Sequence, residues 1–223
     1  MQLNYKDIKA KFDKFYQLTL RDWMVYHQRD ILPQSSAWKG ISVIKPPHDL
    51  WVYQELIFDL KPEVVVEIGS YYGGTTQFLA DIFPDITVVS VDIDRKCYMA
   101  KAPNIIDITG DCHHPETVDK VRVLCEGKKT LIIHDADHRK EAVLKDFELY
   151  SPMVSVDSYF IIEDAITDLF TEEEKIGTPW DGPLHAIIEI MKNTDEFVLD
   201  RRLEYYLITY APYGFLRRVR GQG

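Results

Sequence analysis

Two short acidic stretches carry most of the chemistry available to this chain. His134-Asp135-Ala136-Asp137-His138 and Glu163-Asp164 each end a short run of β-branched and aliphatic residues, which places them at the carboxyl ends of strands, facing one crevice. Four carboxylates in one crevice repel each other unless something cationic sits among them. Oxygen ligands around open positions suit a hard ion such as Mg2+, and the neighbouring histidines would also admit Mn2+ or Fe2+. Taken singly, each aspartate reads as a cap or an ion-pair partner; taken together, the two clusters read as a metal or catalytic site.

A second constellation lies earlier. Glu67-Ile68-Gly69-Ser70-Tyr71-Tyr72-Gly73-Gly74-Thr75 sets a glycine turn between a strand and a helix, where a ligand can approach the backbone closely. A nicotinamide site would place glycine where Tyr71 stands, which disfavours a dehydrogenase. A carboxylate two places before the first glycine suits a ligand with a cationic amino-acid end, as in S-adenosylmethionine sites. A plain turn of small packing residues is the alternative. Asp92 and Asp94 end the next strand, where a carboxylate can accept both ribose hydroxyls of an adenosine, Asp92 being better placed. Asp111, after the third strand, could reach an adenine amine. Trp51, Tyr72, Trp180 and His185 could line an acceptor pocket, although aromatic residues are more often core.

The elements that must position these groups are legible as alternating patterns. Residues 5–27 place apolar side chains mostly at three- and four-residue steps, which predicts one amphipathic helix with an aromatic packing stripe, and residues 33–47 read as a loop. Residues 49–60 look helical. Strand-like runs then follow at 64–69, 87–94, 105–111, 130–137 and 159–166, separated by helical stretches, and residues 197–218 suggest a closing antiparallel pair. Runs apolar on both faces suit a parallel sheet covered by helices. The predicted fold is therefore α/β and doubly wound, with an N-terminal extension over 1–46 and one domain over 47–223.

Composition narrows the partners. The 223 residues include 26 Lys+Arg against 36 Asp+Glu, a net charge of -10 that repels a phosphate backbone, so no nucleic-acid partner is expected. Cys97, Cys112 and Cys125 form no C-x-x-C pair and leave an odd count, which points to a reducing, cytoplasmic setting. No run approaches the roughly 18 apolar residues of a membrane span, so no membrane partner is expected.

The chain resembles the cephalosporin hydroxylase family, a branch of class I S-adenosylmethionine-dependent methyltransferases that includes rhamnosyl O-methyltransferases. The matching stretches are PHDLWVYQELI (47–57), VVEIGSYYGGTTQFLA (65–80), VVSVDID (88–94), ITGDCHHPE (108–116), HDADHRKEAVLKDFELYSPMV (134–154), YFIIEDAI (159–166), GPLHAIIEIM and the ending APYGFLRRV. Where relatives commonly carry glycines before the fifth strand, this chain has Asp157 and Ser158. The resemblance implies a class I methyltransferase sheet, S-adenosylmethionine held by Glu67, Gly69, Ser70, Tyr71, Gly73, Thr75, Asp92 and Asp111, and a divalent metal, Mg2+ foremost, on Asp135, Glu163 and Asp164. Asp137 could replace Asp135 as the ligand; otherwise Asp137 or His138 is the base. The implied substrate is a small-molecule hydroxyl with a neighbouring oxygen, and a homo-oligomer is compatible with the sequence. Two rival readings are an accessory partner of a separate oxygenase and a nucleotide-dependent oxidoreductase.

Overall fold

The structure, a computed structural model, describes residues 4–174 and 176–221. The chain opens with α1 (Tyr5–Phe15), α2 (Leu20–Tyr26), a turn of π-helix and α3 (Leu32–Ser35), followed by a hairpin of β1 (Ala37–Trp38) and β2 (Ile41–Ser42). Then come α4 (Pro47–Leu60), β3 (Val64–Ile68), α5 (Gly74–Ile82), β4 (Thr87–Asp92), β5 (Ile105–Thr109), α6 (Pro115–Cys125), β6 (Thr130–His134), α7 (Lys140–Tyr150), β7 (Tyr159–Ile162), α8 (Pro183–Asn193), β8 (Phe197–Leu199) and β9 (Phe215–Arg218).

The long N-terminal helix expected from periodicity is broken. Thr19 Oγ1 accepts from the Asp22 amide at 3.1 Å and Asp22 Oδ2 accepts from the Thr19 amide at 2.9 Å, a reciprocal cap that starts a new helix. The apolar stripe of α1 stays exposed among the described residues, with Tyr5 at 76% and Phe12 at 54%. Met24 and Leu32 instead pack on Tyr210 and anchor the extension there. The expected loop over 33–47 contains the hairpin, which lies against α5.

The main sheet has the order β5-β4-β3-β6-β7-β9-β8, parallel except for β9, which runs antiparallel to β7 and β8. The doubly wound sheet with a closing antiparallel pair is thus as the sequence indicated. Strands β3, β6 and β7 are buried along their whole length, as their continuous aliphatic runs require. On one face Val64, Val66, Ile132 and Phe160 pack against Val121, Val143 and Ile187 of the helices; on the other, Val65, Leu131 and Ile161 pack against Val52, Leu56 and Leu79. Edge strand β5 departs from the pattern by exposing Ile106 and Asp107. Among the described residues no helix is long and apolar enough to cross a membrane.

The chain winds outward from β3 to β5 and returns across β3 to β6, so a crevice opens between the loops after β3 and β6. Register sets those loops level. Ile68 lies opposite His134, and His134 opposite Ile162; the next residues are tied by Asp135 N donating to Ile68 O at 2.7 Å and Glu163 N donating to His134 O at 3.0 Å. Gly69 makes the close passage possible. Its φ is +86°, and a Cβ there would sit 2.2 Å from the Asp135 carbonyl oxygen. Gly69→Ala is therefore expected to lower stability by about 2–4 kcal/mol through left-handed strain plus a backbone clash. Urea denaturation would check this; a wild-type midpoint would refute the close approach.

Candidate active site

The loop after β3 is held by groups behind it. Asp92 Oδ2 accepts from the Ser70 and Tyr71 amides at 2.9 and 2.7 Å, while Oδ1 accepts from the Asp94 amide at 3.0 Å. The residue expected to bind ribose thus fixes the loop, and its Oδ1, which accepts one bond, keeps a lone pair for a ligand. Ser70 faces inward: its Oγ accepts from Ser90 Oγ and from Arg95 Nη1, each at 2.8 Å. Arg95 also donates to the Ser90 and Ile108 carbonyls and lies 4.4 Å from the Tyr98 ring centroid, so it braces the loop from below. Sequence reading did not single out Arg95, because one arginine among surface charges carries no pattern.

Two cavities meet over this loop. One of about 470 Å³ runs past Gly69, Tyr71, Asp92, Asp111 and Asp137. The other, about 260 Å³, is lined by Ser42, Lys45, Glu67, Thr75, Asp135 and His138. Tyr71 and Tyr72 also line the second, with hydroxyls 3.2 Å apart. Glu67 is buried and takes a short hydrogen bond from Thr76 Oγ1. Burial foremost pushes its carboxyl up to about 7, against the pull of Thr76 and Lys45. Gly73 adopts φ +81° at the turn into α5, and Gly74 lets the hairpin approach so closely that a Cβ would lie 2.1 Å from Ser42 O. Of the residues expected at the cofactor, Glu67, Gly69, Ser70, Tyr71, Thr75, Asp92 and Asp111 each line at least one of the two cavities, and Gly73 stands at the turn behind them.

The acidic clusters meet at its edge. Asp135, His138 and Asp164 offer ligand atoms all within 4.8 Å of one another. His138 Nε2 lies 3.4 Å from Asp135 Oδ1 and 3.5 Å from Asp164 Oδ2 and makes no hydrogen bond among the described residues. Glu163, also expected as a metal ligand, is turned to a different partner. Lys45, 2% exposed, places Nζ 2.6 Å from Asp135 Oδ2 and 3.1 Å from Glu163 Oε1. Burial works to raise Asp135, but Lys45 and His138 outweigh it and hold the carboxyl down to about 2. Burial raises Glu163 and Asp164, with Lys45 and His138 respectively opposing. His138 is lowered by burial yet raised overall by Asp164 and Asp135. Buried Asp49 adds to this field: desolvation and nearby Glu163 push it up to about 7, while its Oδ2 accepts from the Tyr210 amide at 2.9 Å.

Asp137 is not brought into this group. Its Oδ1 accepts from the Arg139 amide at 3.0 Å, its side chain is half exposed, and it faces the cavity that holds Asp92. Of the aromatic pocket residues, Tyr72 lines the crevice, whereas Trp51 lies on the exposed face of α4 bonded to Glu55. Trp180 sits 5.6 Å from the Arg139 guanidinium, and His185 lies 3.4 Å from Asp168 at the start of α8. Lys45 and Asp49 were missed in the sequence because they fall in a proline-flanked stretch read as a loop and in the first turn of a helix.

Comparison with known proteins identifies the family. The family described as Rhamnosyl O-methyltransferase/CmcI matches residues 32–219. A rhamnosyl O-methyltransferase of Mycobacterium leprae is 30% identical over 197 residues, covering 82% of this chain and 83% of that protein. One from Mycobacterium tuberculosis is 26% identical over 97% of this chain and 89% of its own length. Among solved structures, CmcI with Mg and SAM superposes with a TM-score of 0.65 at 23% identity, covering 92% of this chain and 86% of that one. The methyltransferase MycE of mycinamycin biosynthesis, with Mg and SAH, gives 0.53 at 20% identity over 78% of this chain and 49% of its own. On the strength of a match that spans the strands, the crevice and both acidic clusters, the chain belongs to the rhamnosyl O-methyltransferase/CmcI family of methyltransferases.

Proposed function

We propose that the protein transfers a methyl group from S-adenosylmethionine to a hydroxyl of a small molecule that carries a neighbouring oxygen, such as a sugar or natural product, with the help of a divalent ion, Mg2+ foremost. The observation that carries this reading is the convergence of Asp135, His138 and Asp164 at the edge of the glycine-loop crevice. Relatives named for rhamnosyl O-methylation support the acceptor class, and the MycE structure with Mg and SAH supports the pairing of ion and cofactor. A cytoplasmic protein without nucleic-acid or membrane partners is consistent with the acidic chain and free cysteines.

The residues present fit the ion. Asp135 Oδ1 and Asp164 Oδ2 lie 3.4 and 3.5 Å from His138 Nε2 and so face one place where an ion could take two oxygens, while Glu163 pairs with Lys45 beside them. When bound, S-adenosylmethionine would supply an electrophilic methyl on a sulfonium, and the ion would lower the pKa of the hydroxyl it polarises. Asp135 and Asp164 would hold the oxygen side of the ion, with Glu163 as the third expected ligand only if it gives up its contact with Lys45, which pairs with both Asp135 and Glu163. With an ion neutralising Asp135 and Asp164, the two carboxylates would no longer hold the proton on His138, whose Nε2 could then take the hydroxyl proton. Of the two groups expected as the base, Asp137 stands on the adenosine side instead. Glu67, beneath Gly69 and Thr75, faces the cationic amino-acid end of the cofactor, and Asp92 and Asp111 face its adenosine.

The ion and the cofactor are tested separately. Chelation of divalent ions is expected to abolish methyl transfer and Mg2+ or Mn2+ to restore it; full activity without an ion would refute the assignment. Asp135→Ala or Asp164→Ala should weaken ion binding in calorimetry, whereas His138→Gln should keep most of it and lose roughly 10²–10⁴ in rate. The second experiment concerns Glu67, whose carboxyl lies at about 7 without ligand and must ionise to meet an ammonium group. Its proton then leaves on binding, so affinity for S-adenosylhomocysteine should climb with pH up to about 7 and level off above it. Glu67→Gln should flatten that slope and bind more weakly at about pH 8. A slope unchanged in the variant would move the linked proton to another group.

A further inference from the structure

A second donor cluster lies under the adenosine side of the crevice. Cys112 and His113 follow β5, and Asp146 projects from α7; the Cys112 Sγ, one imidazole nitrogen of His113 and a carboxylate oxygen of Asp146 all fall within 4.8 Å of one another. Asp146 is fully buried, yet its Oδ1 has no hydrogen-bond partner among the described residues. His113 Nε2 sits 3.3 Å from that oxygen and is also without a hydrogen bond, so the two atoms are close without N–H aimed at O. A buried carboxylate oxygen and an imidazole nitrogen that lie together without a hydrogen bond, beside a thiol, form a set of donors that a metal could satisfy. An unpaired buried oxygen is otherwise destabilising.

The surroundings support the cluster as ligand supports are built. His134 Nε2 lies 3.1 Å from the other oxygen, Asp146 Oδ2, and orients the carboxylate. Tyr150 donates to the Cys112 carbonyl at 2.7 Å, and the His113 amide donates to Asp111 Oδ1 at 2.9 Å, so both ends of the Cys-His pair are pinned.

We propose that Cys112, His113 and Asp146 form a second divalent-metal site, of the zinc class, that clamps the loop after β5 to α7. One sulfur, one imidazole and one carboxylate match a borderline-soft ion and disfavour Mg2+ or Ca2+, which take oxygen. A tetrahedral zinc centre needs ligand separations of about 3.3–3.7 Å, so donors that lie within 4.8 Å of one another would draw together on binding. Burial and the Asp146 charge keep the free Cys112 thiol above its ordinary range; on binding, the sulfur–metal bond forms and the thiol proton passes to solvent. No oxidation change is involved. The site is independent of the reading given for Asp135, His138 and Asp164.

Co2+ titration of the untagged protein separates the two. One equivalent should give the near-ultraviolet thiolate-to-cobalt band and the visible bands of a tetrahedral site, and Zn2+ should displace it. The thiolate band should vanish in Cys112→Ser and persist in Asp135→Asn. His113→Ala, whose side chain is about a third exposed and whose loss spares the core, should weaken Co2+ binding at the thiolate site at least about tenfold. Co2+ bound with no thiolate band in the wild-type protein, a band that survives Cys112→Ser, or unaltered affinity in a folded His113→Ala would each overturn the proposal.

Discussion

The ion pair of Lys45 with Asp135 and Glu163 is the constraint around which the crevice is arranged. The parallel sheet brings three acidic residues to one level by register alone, and two of their neighbours, Glu67 and Asp49, are buried beside them. Carboxylates at that density would protonate or push the strands apart without a compensating charge. One ammonium group with 2% exposure supplies it, and removing either member of such a buried pair typically costs about 3–5 kcal/mol. Asp135 consequently stays ionised in a place where burial alone would have neutralised it.

Behind the crevice, a second arginine-centred brace does for the backbone what Lys45 does for the side chains. Arg95 reaches across two strands to the carbonyls of Ser90 and Ile108 and holds Ser70, while Asp92 ties the amides above it. The glycine loop is therefore held in place by the protein's own hydrogen bonds. Such fixed donors and acceptors do not have to reorganise when a cofactor arrives, which is how a binding loop keeps its geometry at little entropic cost.

Much of this was legible in the sequence. Strands buried on both faces announce themselves as unbroken aliphatic runs, and β3, β4, β6 and β7 fell where those runs stand. The acidic clusters were located because strand ends and carboxylates are both local signals. What was not legible depends on long-range contacts. The cap at Thr19 interrupts a periodicity that continues through it, and the short hairpin turn Lys39-Gly40 is a weaker signal than Asn-Gly. Lys45 lies 90 residues from Asp135, and nothing in its neighbours betrays the pairing. The separate fates of Asp137 and His138 were likewise undecidable from spacing, since one residue's difference in a turn sends a side chain to a different wall.

The close contact between Gly74 and the Ser42 carbonyl has a mechanical meaning. Ser42 begins the four residues that roof the smaller cavity, and the last of those four is Lys45. Roof and counter-charge are one piece of chain. Lifting the roof would withdraw the ammonium from Asp135 and Glu163 and leave two buried anions facing each other, so the cover is latched electrostatically as well as by packing.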